Sequence, residues 1–156
     1  MENGISRPAD LAVDANFIYV PSESKVFTYA MPLKREAPTA SVRPAGSTIG
    51  VAVSRSDLYV STYYNAKVYD YSLPLTSAST PVAVIKFPRC TLSNGFNKGY
   101  GLAVYPPPQA GKPATLLFAA DSCNNVFTYS LPLSSGEKPI LDTVTTGYFP
   151  LYLYAR

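Results

Sequence analysis

The 156-residue sequence has no histidine and no tryptophan, and only 15 % of its residues are charged. Without histidine the chain lacks the commonest general base, and with it any Ser–His or Cys–His nucleophile pair. No P-loop or GxGxxG stretch occurs, so the usual phosphate-cradling loops are absent as well. Catalysis is therefore not expected, and no cofactor is implied. No apolar run approaches the ~20 residues of a membrane-spanning helix, so membrane insertion is not expected. The opening "MENGISRPAD" has no basic segment followed by an apolar one, and reads as no export signal. Lysine and arginine exceed the acids by 13 to 10, but Lys25, Arg43, Arg55, Lys67, Lys86, Lys112 and Lys138 are scattered among them. A nucleic-acid binder concentrates its cations on one face or stripe, so nucleic acid is not an expected partner. The densest basic spot, "MPLKRE" at 31–36, reads as a solvated turn.

What the chain does have is strand-forming residues and punctuation. Thirteen tyrosines, seven phenylalanines and many valines suit a pleated surface, while fifteen prolines and nine glycines cut the sequence into short pieces. No stretch holds an apolar face at helical spacing through three turns. The composition predicts an all-β chain of one-domain size, long enough to bury a core.

The pieces repeat. "VFTYAMPL" at 26–33, "VYDYSLPL" at 68–75 and "VFTYSLPL" at 126–133 place Tyr29, Tyr71 and Tyr129 in register, offset by 42 and then 58 residues. Before each stands an apolar segment ("DLAVD" 10–14, "GVAVS" 50–54, "GLAVY" 101–105) and then a second one ("FIYVPS" 17–22, "DLYVST" 57–62, "LLFAAD" 116–121). After each comes a proline-bounded strand, at 38–44, 80–87 and 138–145. Four short strands in roughly 42 residues is the size of one β-propeller blade. The units run from about 8 to 45, 49 to 88 and 100 to 146, and 148–156 reads as one strand of a further unit.

Within a unit, Ala12, Ala52 and Ala103 between larger aliphatics suit a crowded inner strand beside a central channel. In the second strand Ile18 and Val20, or Leu58 and Val60, point one way, with Tyr19 or Tyr59 opposite. In the third, Val26, Val68 and Val126 should share a face with Thr28, Asp70 and Thr128. The aromatics at 27 and 29, 69 and 71, and 127 and 129 should take the other face and pack against the next blade.

The third unit is 16 residues longer than the second, through insertions at 88–100 and 106–114. Cys90 lies in the first insertion and Cys123 in the turn between strands two and three. In an up-and-down blade those two connections share a face, so a Cys90–Cys123 disulfide is geometrically reasonable, with free thiols the alternative. A bond would favour an oxidising, extracellular or cell-surface setting. The same face would carry a ligand at the channel mouth through Tyr63, Tyr64, Asn94, Asn97, Tyr100 and Asp121. Asp10, Asp14, Glu23 and Asp121 are metal-ligating types, but occupy non-equivalent places in their units.

With its "YV" strand, its Asn-containing turns ("NAKV" 65–68, "NNV" 124–126) and the V-aromatic-x-aromatic strand, the sequence resembles the NHL and YncE-like β-propellers. "ESKV" at 23–26 lacks the asparagine. The absence of tryptophan removes the WD dipeptide of the WD40 class, and the absence of a Gly-Gly pair argues against kelch. The resemblance implies protein, peptide, RNA or glycan binding, or, in some members, a calcium-dependent lactonase or lyase. Three units are too few to close a ring, since propellers typically have 4–8 blades. Closure is expected from self-association, as a six-bladed dimeric ring or a head-to-tail filament, or from a larger propeller of which these units are part. The expected function is a non-catalytic structural or binding scaffold that is its own partner, with a protein or glycan ligand as a further possibility. Its self-association would use Leu151, Tyr152, Leu153 and Tyr154. The alternative is a ligand-binding or lactonase-like propeller with its site at the channel mouth.

Overall fold

The computed structural model describes residues 5–34, 36–88, 99–106 and 112–142. Among the described residues there are twelve strands: β1 (Ala12–Val13), β2 (Phe17–Ser22), β3 (Lys25–Ala30), β4 (Ala40–Val42), β5 (Thr48–Val53), β6 (Asp57–Thr62), β7 (Lys67–Ser72), β8 (Ala83–Lys86), β9 (Gly99–Tyr105), β10 (Leu116–Asp121), β11 (Val126–Ser130) and β12 (Leu141–Asp142). They form three four-stranded antiparallel sheets, β1-β2-β3-β4, β5-β6-β7-β8 and β9-β10-β11-β12. Each sheet is a meander of sequence neighbours, as expected for a blade. The first strands stand side by side, β5 lying against both β1 and β9. β9 begins at Gly99, so Gly99 and Tyr100, counted with the insertion in the sequence, belong to the inner strand. The C-terminal strand expected at 148–156 lies outside the described residues, as does Cys90.

Turn chemistry explains where the strands stop. The β2–β3, β6–β7 and β10–β11 turns place Glu23, Ala66 and Asn124 at positive φ (55°, 47° and 65°), the left-handed conformation that reverses a strand in few residues. At the opposite ends the repeated Pro32, Pro74 and Pro132 each follow a cis peptide bond. The residue before each proline makes the last inter-strand bond: Met31 N–H to Asn16 O, Leu73 N–H to Ser56 O and Leu131 N–H to Thr115 O, at 2.8–2.9 Å. Proline has no N–H to continue the ladder, so the strand ends there.

Register shows how small and large residues share the space. Cross-strand rows run Ala12–Tyr19–Thr28–Ala40, Ala52–Tyr59–Asp70–Ala83 and Ala103–Phe118–Thr128–Leu141. An alanine on the inner strand leaves room for the ring opposite it.

Two apolar cores join the blades. Ala12, Tyr19, Val26 and Val42 of the first blade pack on Val51, Val53, Leu58, Val60, Tyr69 and Tyr71 of the second. Ala52, Tyr59, Val68, Ala83 and Ile85 of the second pack on Leu102, Val104, Leu117, Ala119, Phe127 and Tyr129 of the third. The two faces of the third strand are thus as expected, but the direction is reversed. The aromatic pair reaches back to the preceding blade, because the valine-and-alanine face leaves the hollow that the rings fill. Tyr19, Tyr59, Tyr71 and Tyr129 are among the largest fully buried side chains. Burial of each large side chain is worth roughly 1.5–3 kcal/mol, so these rings carry much of the cohesion.

Candidate binding face at the blade connections

One end of the arc is built from the β2–β3, β6–β7 and β10–β11 turns and the connections that enter the next blade. Thr48 stitches two blades there, its hydroxyl donating to Glu23 O and Lys25 O at 3.0 Å each. Gly99 N–H donates to Tyr63 O at 3.2 Å, bringing the start of β9 to the β6–β7 turn. As a result Tyr63, Tyr64 and Tyr100 gather at one place. Tyr63 meets Tyr64 edge-on with centroids 4.8 Å apart and Tyr100 at 5.7 Å. Burial, and after it a hydrogen bond with Tyr63, push the Tyr100 phenol up to about 12. Tyr64 is 72 % exposed and forms the outer edge of the cluster. Asn65, next in sequence, donates from Nδ2 to Ala45 O, while its Oδ1 is buried and has no hydrogen-bond partner. Three of the six residues expected on the ligand face therefore meet.

The other three do not join them as a described site. Asn94 and Asn97 lie outside the described residues. Asp121 is fully buried, and its oxygens accept from Cys123 N at 2.8 Å, Asn125 N at 2.9 Å and Asn125 Nδ2 at 3.0 Å. That carboxylate holds the β10–β11 turn together. Cys123, in the same turn, is disulfide-bonded. Its expected partner Cys90, and the expected association residues Leu151, Tyr152, Leu153 and Tyr154, lie outside the described residues.

The remaining acidic candidates are also engaged in their own connections. Asp10 accepts Leu11 N–H at 2.8 Å and reaches across to Val51 N–H on β5 at 3.0 Å. Its pKa is raised by burial, which those two bonds oppose. Asp14 accepts from Asn16 N, Phe17 N and the Tyr19 hydroxyl at 2.7–2.8 Å. Glu23 accepts the Ser6 hydroxyl at 2.9 Å. Among the described residues no three acidic or cysteine side chains are grouped to hold a metal ion.

At the opposite end a cavity of about 390 Å³ opens between the second and third blades, lined by Arg55, Asp57, Tyr59, Ala114, Thr115 and Leu131 among others. Ser54 takes the place that Asp14 has in the first blade, accepting Asp57 N–H at 3.0 Å. In the third blade the pair is Tyr105 and Phe118, so the carboxylate is gone and the ring on the second strand carries no hydroxyl. Sequence reading passed over one residue beside this seam, Asp70. The signal was available: its equivalents, Thr28 and Thr128, are neutral, and all three were expected on the face of Val26, Val68 and Val126.

No protein-family model matches the chain, and no curated protein matches it. Solved structures do. A chain of the mitotic checkpoint complex aligns with 85 % of this chain and 36 % of its own length, at 13 % identity and a TM-score of 0.62. The WD40 β-propeller domain of Doa1 aligns over 80 % and 37 %, at 10 % identity and 0.58. Glutaminyl cyclase from Myxococcus xanthus aligns over 80 % and 46 %, at 12 % identity and 0.56. The chain thus spans less than half the length of each, and at these identities the likeness concerns the fold alone. That fold is three consecutive blades of a β-propeller.

Proposed function

We propose that this chain is a non-catalytic propeller module of the NHL/YncE-like kind, a structural or binding scaffold that self-associates through its outer blades. The observation that carries this reading is the pairing rule between blades. Twice within the chain an aromatic-bearing face fills a valine-and-alanine face. The aromatic face of the first blade, whose Phe27 and Tyr29 are themselves buried, belongs to neither of the two cores among the described residues. Nor does the opposite face of the third blade, with Ala103, Phe118, Val126 and Thr128. On the first blade's side Leu11 is 61 % and Val13 37 % exposed. These two surfaces are complementary by the rule already used inside the chain, so a second copy fits them head to tail, closing a ring or extending a filament. The mitotic checkpoint neighbour belongs to a multi-protein assembly, which agrees with a scaffold role.

Light scattering on the purified chain at micromolar concentration should give a dimer or larger species. Phe118→Asp, or Leu151→Asp with Leu153→Asp, should reduce it to monomer with the strand signal in circular dichroism retained. A stable, folded wild-type monomer would overturn the reading. The disulfide of Cys123 supports an extracellular or cell-surface setting, and non-reducing peptide mapping should recover Cys90 linked to Cys123.

One observation favours a second reading, a protein- or glycan-binding face: the exposed Tyr64 standing edge-on to Tyr63, which in turn meets Tyr100. Binding of an arrayed glycan or peptide that falls at least tenfold in Tyr64→Ala would promote it, and no binding on either array would remove it. The glutaminyl cyclase neighbour is an enzyme, and a lactonase-like activity would instead appear as calcium-dependent stabilisation.

A further inference from the structure

Asp70 lies on β7, an interior strand of the middle blade, paired with Tyr59 on one side and Ala83 on the other. Its side chain shares the face of Tyr59, Val68 and Ala83, which packs on the third blade. It is 2 % exposed, and its Oδ1 has no hydrogen-bond partner. Burying a carboxylate with even one oxygen left without a donor penalises its charged form and favours the protonated one. The equivalent threonines, Thr28 and Thr128, show that the position otherwise carries a neutral side chain of similar size.

The surroundings offer little relief. β5 contributes Ala52 and β8 contributes Ala83 and Ile85, none of them charged. From β6 come the Tyr59 phenol and, at the strand's start, the like charge of Asp57. The third blade presents Leu102, Val104, Leu117, Ala119, Phe127 and the Tyr129 phenol. Lys67 and Lys86 alternate to the opposite face of the sheet, and Arg55 is exposed in the β5–β6 turn. The cavity bounded by Tyr59, Asp57 and Leu131 leaves this part of the seam incompletely filled.

We propose that Asp70 is a pH-responsive element in the seam between the second and third blades, which is tight while the carboxyl is protonated and loosens when it ionises. Burial, followed by the charge of Asp57, raises the carboxyl from the ordinary aspartate value to about 7. The native state therefore keeps a proton that the unfolded chain releases near pH 4. The stability contributed by that retained proton is complete below the unfolded pKa, declines as pH rises from about 4 to about 7, and is gone above it.

Thermal unfolding of the full chain from pH 5 to pH 8 tests this, with Asp70→Thr and Asp70→Asn as two neutral replacements. The wild type should lose about 5–10 °C in Tm across the range relative to either variant, and both should exceed it at pH 8. Hydrogen exchange, corrected for its intrinsic pH dependence, should show wild-type protection falling with pH in β9–β11 more than in β2–β3. Parallel wild-type and variant Tm profiles, or a uniform loss of protection in all three blades, would overturn the proposal. Should one variant fold poorly, the other still gives the comparison.

Discussion

Gly50→Ala should lower the melting temperature by about 10 °C. A Cβ on Gly50 would sit 2.3 Å from the carbonyl oxygen of Tyr100 and 2.7 Å from the Ser61 hydroxyl. The hydroxyl could turn aside, but the carbonyl is part of β9 and moves only with its strand. The same point is hydrogen-bonded: Gly50 N–H donates to Ser61 Oγ at 3.0 Å, and that hydroxyl donates to Tyr100 O. One methyl group would therefore separate the second and third blades and disturb the bonds that bridge them. Overpacking against rigid neighbours costs about 3 kcal/mol, and each kcal/mol is worth about 2–4 °C in a domain of this size. Gly136→Ala is the comparison. That glycine has φ +77° and nothing within 4 Å of a built Cβ, so only the backbone penalty of about 1 kcal/mol applies. Equal losses for the two variants in differential scanning calorimetry would contradict the close approach at Gly50.

Asp121→Ala should be comparably damaging, at about 3 kcal/mol. The buried carboxylate accepts three hydrogen bonds from the β10–β11 turn, and its removal leaves the N–H groups of Cys123 and Asn125 without that acceptor. An unsatisfied buried donor costs about 1–3 kcal/mol. Asp121→Asn keeps an oxygen for those two N–H groups, and a reoriented Asn125 amide can meet its NH2. It should recover more than half of the lost stability. If Asp121→Ala melts like the wild type, the side chain is not holding the turn and returns as a ligand candidate.

These variants also mark the reach of sequence reading. Asp121 was classed among ligand residues because its residue type and its place near the channel mouth suited that role. Only the folded turn shows its oxygens spent on Cys123 and Asn125. Tyr63, Tyr64 and Tyr100 come together although 36 residues separate the second from the third, because repeat order places the β6–β7 turn beside the entry to the next blade. Asp70 was assigned to the correct face and its consequence missed. Alternation along β7 puts it on the face of Val68, but does not show what covers it or that its Oδ1 lacks a partner.

The sequence by itself determined the all-β class, the four-strand unit and its three copies, and the repeated proline at 32, 74 and 132. Those depend on alternation, turn residues and proline's missing N–H, all of which act within a few residues. Tertiary structure decided which neighbour the aromatic pairs grasp, how closely Gly50 approaches Tyr100, and that Asp70 is buried with its Oδ1 unpartnered. Each of those depends on the distance between segments tens of residues apart, which the packing of one blade on another sets and local pattern does not record.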